Sequence, residues 1–422
     1  MGGIIGSGIF INPYVVARQL SSPLLILGVW GLGGLVALAA GFIWAELASR
    51  RPDVGGQYAY LRDAFHPLIA FLYGWALLLV IQTGGMAAVA LIFARYFLEL
   101  LPLPTSEFVI AIAALSVLTG INCLGVRAGS TVQSALMVLK ILAIAALVLS
   151  GLLLSGPTGN RFSDPLPSPS LDLLTSIGAA MVPVLFAYGG WQTATFVAGE
   201  IREPERNLPR ALIAGVIGVV VLYLLVNLVC ILVLGTEGLA NTTTPASDVM
   251  RSVLGPTGGR LIAAGIAIST LGFLSQGMLT APRVYFAMAT DGLFFKSVGR
   301  VSQRTHVPML AIALQGLLAI GIIFVWGRYE RILDYVVSID FIFFGATALA
   351  VFVFRRRSQM ASFRVPLHPF STGLFIVVCW AVVINTIYRY PENTLLGVGL
   401  LLAGIPIYFV WRRRLGVRGM DI

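Results

Sequence analysis

Gly3-Ile4-Ile5-Gly6-Ser7-Gly8-Ile9-Phe10 opens the chain, and Phe186-Ala187-Tyr188-Gly189-Gly190-Trp191 interrupts its middle. Both are glycine-broken patches inside apolar stretches of helical length. Unwound backbone at membrane depth is tolerated only where it lines a protein-enclosed or watery cavity. Two such breaks, far apart in sequence, point to a small-molecule site between two parts of one membrane protein.

Composition supports the bilayer. The chain has 422 residues, 58% of them hydrophobic and 11% charged, with a mean hydropathy of +0.92. That is more apolar side chain than a soluble domain can hide. The formal charge of +10 does not imply nucleic acid, because the basic residues sit in loops without interleaved aromatics. Cys123, Cys230 and Cys379 lack paired spacing, and His66, His306 and His368 are far apart. Neither a disulfide framework, a metal site nor a cofactor is expected. No basic segment precedes the first apolar run, so no signal peptide is read there. No span carries paired carboxylates, a histidine cluster or a nucleophile with its base, so an enzyme is not expected.

Measured in spans of about 20 apolar residues, the pattern predicts an all-α membrane protein with twelve transmembrane helices. They fall at 2–17, 23–48, 67–98, 107–124, 131–154, 174–200, 209–234, 257–289, 308–326, 331–354, 370–388 and 393–411. Placing both termini in the cytoplasm puts most Lys and Arg there, among them Arg50, Arg51, Arg62, Arg202, Arg206, Arg355, Arg356 and Arg357. A plasma-membrane (cell inner membrane) protein in contact with anionic lipid is expected. Residues 156–173, rich in Pro, Ser and Gly, read as an extracellular connector. Residues 50–66 have room for a short cytoplasmic helix, and 235–256 for an extracellular helix or lid.

A helix split at the midplane offers free N–H groups where its second half begins and free carbonyls where its first half ends. These ends carry opposite partial charge and suit the poles of a zwitterion. An amino acid fits: its carboxylate is placed on the amides around Ser7, Gly8 and Ile9, its ammonium on carbonyls near Ile5, Phe186 and Ala187. Gly6, Tyr188, Gly189 and Gly190 complete the two breaks. The competing reading makes these glycines close helix-packing contacts, which are common in membrane proteins.

The run at 3–10, the stretches Trp44-Ala45-Glu46-Leu47 and Gly55-Gly56-Gln57-Tyr58-Ala59-Tyr60, and FAYGGW at 186–191 with EIREPERNLPRAL at 200–212 resemble the amino acid–polyamine–organocation superfamily. Within it the chain is most similar to the L-type amino acid transporter group. The resemblance covers nearly the whole chain and is weakest in the last four spans. It implies a leucine-transporter-like 5+5 inverted repeat with discontinuous first and sixth helices. Residues 1–155 would form the first five-helix repeat, with its first helix truncated. Residues 174–354 would form the second, and 355–422 two extra helices and a cytoplasmic tail. It further implies secondary active transport of amino acids by alternating access, with Phe186 closing over the substrate.

Lys140 is the next most informative residue. Nine residues beyond Thr131, at 1.5 Å each, it lies about 13 Å deep, and an ammonium at that depth marks a functional site by default. By resemblance it takes the place of the sodium ion of sodium-coupled relatives, reaching the first span's carbonyls and Ser269 of the eighth. Sodium-independent exchange or proton-coupled uptake is then expected. The alternative is a structural lysine tying spans together. Glu46, Glu200 and Glu203 lie at cytoplasmic span ends beside arginines and are candidates for an inner gate, with solvated interfacial charge as the alternative.

Three departures from the family pattern bear on function. Relatives carry more helix before the glycine motif, so the native chain is expected to extend upstream of Met1. The 101–106 loop lacks the cysteine that links animal relatives to a glycoprotein heavy chain, so no disulfide-linked partner is expected there. No carboxylate stands at either break, which favours neutral amino acids over cations. The alternative function is an amino-acid-binding membrane receptor that does not transport.

Overall fold

The computed structural model describes residues 4–52, 55–125, 130–154, 162, 166–196, 198, 201–357 and 361–414. Among them there is no strand. The helices are α1 (Gly8–Gln19), α2 (Pro23–Arg50), α3 (Gln57–Ala64), α4 (Pro67–Ala76), α5 (Gln82–Leu100), α6 (Glu107–Cys123), α7 (Ser130–Leu154), α8 (Leu171–Tyr188), α9 (Thr193–Phe196), α10 (Pro204–Asn241), α11 (Pro245–Thr280), α12 (Pro282–Thr290), α13 (Met309–Trp326), α14 (Tyr329–Arg356), α15 (Phe370–Arg389) and α16 (Pro391–Arg414). A π-helical turn, Leu77–Ile81, joins α4 to α5.

Several boundaries follow from proline and glycine. Pro23, Pro67, Pro204, Pro245 and Pro282 stand at helix starts, where the missing N–H has no intrahelical partner to lose. Gly327, at φ +59°, ends α13 in the left-handed conformation that glycine adopts without penalty. Within α10 and α11 the axis turns at Gly235 and Gly255, both at φ +72°. The 235–256 stretch, which has room for an extracellular helix or lid, is mostly helical.

Ten helical segments among the described residues are long and apolar enough to cross a membrane, and Glu107–Cys123 is a shorter apolar helix. The molecule is an all-helical, multi-pass membrane protein. The first and sixth predicted spans are interrupted where their glycines stand. Residues 4–7 are not helical, and α1 spans only 12 residues. In the sixth, α8 stops at Tyr188, Gly189–Gln192 is unwound, and α9 is a single turn.

Burial sorts the helices into an inner and an outer set. Every residue of α1 from Gly8 to Ala17 is buried, enclosed by α8, α10 and α11. At the periphery α7, α15 and α16 expose Leu142, Leu149, Leu153, Val377, Ile384, Leu395 and Leu402. Apolar surface of that extent is what lipid tails cover. Pro13 lies inside α1 and Pro183 inside α8. Each proline withholds the amide that the carbonyl four residues earlier, at Ile9 and Ala179, would otherwise accept from.

Candidate functional site

The two helix breaks face each other. A Cβ added at Gly8 would lie 3.0 Å from the Cα and 3.2 Å from the Cβ of Ala187, so α1 begins against the end of α8. Gly190 holds φ +98°, a conformation that favours glycine. Between the breaks lies a cavity of about 120 Å³. Its walls include Gly6, Ser7 and Gly8 from the first break and Phe186, Ala187, Gly189 and Gly190 from the second.

The start of α1 offers the cavity its donors. In a helix the first N–H groups have no partner one turn earlier; here Phe10 N–H is taken by Ser7 O at 3.1 Å, and those of Gly8 and Ile9 have no backbone acceptor among the described residues. Ser7 stands at the N-cap yet makes no capping hydrogen bond, and its hydroxyl is buried without a partner. Other buried hydroxyls also lack partners, and that of Ser7 is set apart by its place in the cavity wall. A carboxylate at this point would accept from both amides and the hydroxyl while facing the positive end of the helix dipole.

The carbonyls expected to hold the ammonium are partly engaged. Ile5 O accepts from Lys140 Nζ at 3.2 Å. Ala187 O accepts from the Tyr223 hydroxyl at 3.2 Å, and Phe186 O from Gly189 N–H at 3.1 Å. Ile5 and Ile9 are buried but do not line the cavity. Tyr188 does not line it either. Its ring packs edge-on against Trp30 and its hydroxyl donates to Trp30 O at 3.1 Å, so the side chain is turned toward α2. The predicted substrate contact at Tyr188 is thus a packing residue in this conformation.

Lys140 is buried on α7 and reaches the first break. Its ammonium also lies 5.5 Å from the centre of the Phe273 ring, a cation–π distance. Ser269 is buried on α11, but the recorded contacts of the ammonium go to Ile5 and Phe273. The gate candidates separate. Glu46 is completely buried and accepts from Arg50 at 2.6 Å, Arg355 at 2.6 Å and Val365 N–H at 2.7 Å. Its partners are therefore both the neighbouring Arg50, to which the sequence pointed, and Arg355 of α14, to which it did not. Glu203 is exposed, at φ +47°, with no ion pair among the described residues. Glu200 lies outside the described residues.

Sequence reasoning missed two features. The first is a closed layer on the side of the cavity away from Glu46. Asn12 donates to Pro183 O at 2.5 Å and accepts from the Tyr329 hydroxyl at 2.7 Å, and the rings of Phe186 and Tyr329 meet edge-on at 6.3 Å. Beyond it a wider cavity of about 520 Å³ is lined by Tyr14, Arg18, Glu330 and Arg331, among others. There Tyr14 donates to Glu330 and accepts from Arg95, which pairs with Glu107. The second is the docking of the Gly55–Tyr60 stretch. Gly56, at φ +48°, lies so close to α9 that a Cβ would come within 2.3 Å of Thr195 Oγ1.

Comparison with known proteins places this architecture. A family model described as amino acid permease matches residues 1–410. The chain belongs to the amino acid permease family. The permease is 30% identical over 420 residues to a serine/threonine exchanger of Bacillus subtilis, covering 98% of this chain and 94% of that protein. It is 30% identical to a b(0,+)-type amino acid transporter of Mus musculus, covering 97% of this chain and 85% of the other. With a large neutral amino acids transporter small subunit of Oryctolagus cuniculus it shares 28% identity, covering 97% and 78%. Amino acid transport is the activity these relatives have in common with the family.

Proposed function

We propose that this permease binds a single amino acid between the starts and ends of its two broken helices and carries it across the membrane by alternating access. The carrying observation is the orphan Ser7 hydroxyl in the wall of a cavity that the second break closes, beside the amides of Gly8 and Ile9, for which backbone acceptors are lacking among the described residues. The carboxylate sits on those donors. The ammonium uses remaining lone pairs on carbonyls of the α8 end. The twelve-span, 5+5 arrangement, with α1 and α8–α9 moving against the rest, is the reading that accommodates two opposed breaks meeting at one cavity. The arginine-rich end, with Arg50, Arg51, Arg62 and Arg355, then faces the cytoplasm of the cell's inner or plasma membrane.

Lys140 supports sodium independence. Its ammonium already supplies a fixed positive charge to the Ile5 carbonyl, where a bound cation would otherwise neutralise the partial negative charge of unwound backbone. Exchange and proton-coupled uptake both remain compatible with that arrangement. Lys140→Ala, by leaving Ile5 O without its partner, should slow transport more than it weakens binding.

Counterflow in proteoliposomes tests the reading. Labelled amino acid should accumulate when unlabelled amino acid is preloaded or a proton gradient is imposed, equally in sodium and in choline buffer. Saturable binding without accumulation would make the protein a receptor, and sodium-dependent accumulation would remove the role given to Lys140.

A further inference from the structure

A carboxylate does reach the cavity, from an element that neither break includes. Along α14 the residues Val336, Val337, Asp340, Phe341 and Phe344 line it, at spacings that put them on one helix face. Asp340 is surrounded by protein yet retains accessible surface, because it faces this space. It makes no hydrogen bond or ion pair among the described residues. The titratable groups that act on it electrostatically are Tyr73 and Cys379, neither a cation. The two acids that are buried outright among the described residues both have partners: Glu46 holds two arginines, and Asp334 accepts from Asn393 at 3.3 Å.

An unpaired carboxylate in a low-dielectric interior is unfavourable unless a donor or cation completes it. Within the cavity wall Gln82, Gln276 and Thr280 add further polar groups near the same end of α5 and α11. Gly85 adds room: a Cβ there would meet no atom within 4 Å. The site therefore has a polar compartment distinct from the amides of α1. An aliphatic side chain would strip water from Asp340 and give nothing in return. A side chain with a hydroxyl, amide or ammonium donor would satisfy it.

We propose that Asp340 reads the substrate side chain, making the permease selective for short amino acids whose side chain carries a hydrogen-bond donor or a cation over their aliphatic isosteres. This rests on the cavity being the amino-acid site. It also revises the neutral-substrate expectation, which considered only the carboxylates at the breaks.

Isosteric pairs test it. Threonine and valine differ by a hydroxyl for a methyl, and 2,4-diaminobutyrate and norvaline by an ammonium for a methyl. In counterflow competition the donor-bearing member of at least one pair should inhibit at a concentration at least about tenfold lower than its isostere, because a site built around a polar group rejects a ligand that leaves it unpaired. Asp340→Leu should bring that ratio to within about threefold. Asp340→Asn separates the two chemistries: loss of the ratio there assigns it to charge, and retention there with loss in Asp340→Leu assigns it to hydrogen bonding. Ratios near one in the native protein, or an unchanged ratio in Asp340→Leu, overturn the assignment. If the leucine variant is not monodisperse, the native ratios and Asp340→Asn decide. If no amino acid accumulates at all, the transport reading itself fails; if amino acids accumulate without discrimination, only the role of Asp340 does.

Discussion

At the scale of single residues, the site is defined by groups that lack partners. Ser7 is the sharpest case, since its hydroxyl is buried, makes no capping bond and bonds nothing among the described residues. Replacing it removes no interaction from the fold. Ser7→Ala should therefore leave thermal stability within about 0.5 kcal/mol and weaken amino-acid binding by about 1.5–3 kcal/mol, the worth of a hydrogen bond to a charged group. Calorimetric titration measures the second quantity directly. The glycines and Lys140 were legible from sequence because glycine in an apolar run and an ammonium at mid-span are both anomalies. Asp340 was equally anomalous, sitting in the apolar run Phe341-Ile342-Phe343-Phe344 that follows it. Its place is not legible in the sequence, because which face of a distant span meets the breaks is a property of packing. Tyr188 is illegible for the same reason: its neighbours in sequence line the cavity, while its own ring packs on Trp30.

At the scale of elements, two contacts hold the broken helices in place, and each can be loosened separately. Asn12 ties α1 to the carbonyl of Pro183 on α8 and to Tyr329 of α14. Tyr329→Phe leaves the Asn12 carbonyl oxygen buried and unpaired, an effect of about 1–3 kcal/mol that falls on the closed state only. The layer should open more often. In a cysteine-free background carrying Val89→Cys in the cavity wall, an impermeant maleimide added from that side should react about tenfold faster. At the other end Gly56 docks on α9. Gly56→Ala places a methyl against the Thr195 backbone, 2.8 Å from its carbonyl carbon, and forces alanine to a positive φ. Left-handed backbone costs a non-glycine residue about 1–2 kcal/mol, and overpacking adds about 1–3 kcal/mol. Transport should fall at least about tenfold, with a lower melting temperature by nanoscale fluorimetry. Most helices were legible as apolar spans bounded by proline. The inner half-turns and the kinks at Gly235 and Gly255 were not, since glycine in a helical run gives no sign of whether it bends or packs.

At the scale of the molecule, the ligand of the proposed pose would act as a bridge. One pole would rest on α1 and the other on the end of α8, and these helices pack in turn on α10, α11, α2 and α14. Any zwitterion that spans both should stabilise the whole bundle, by about 2.7 kcal/mol at a hundredfold excess over its dissociation constant. A methyl ester or an N-acetyl derivative of the same amino acid, having lost one pole, should leave the melting temperature unchanged. Stabilisation by either derivative would mean that only one end of the ligand is recognised. The prolines inside α1 and α8 add something about speed. A rigid rod that must bend during each turnover would have to break a backbone bond at the flexing point and remake it afterwards. Here the amides opposite the Ile9 and Ala179 carbonyls are already missing, so both joints come pre-cut. The proposed rocking would then need no local melting, and the rate of shuttling should rise only gently on warming.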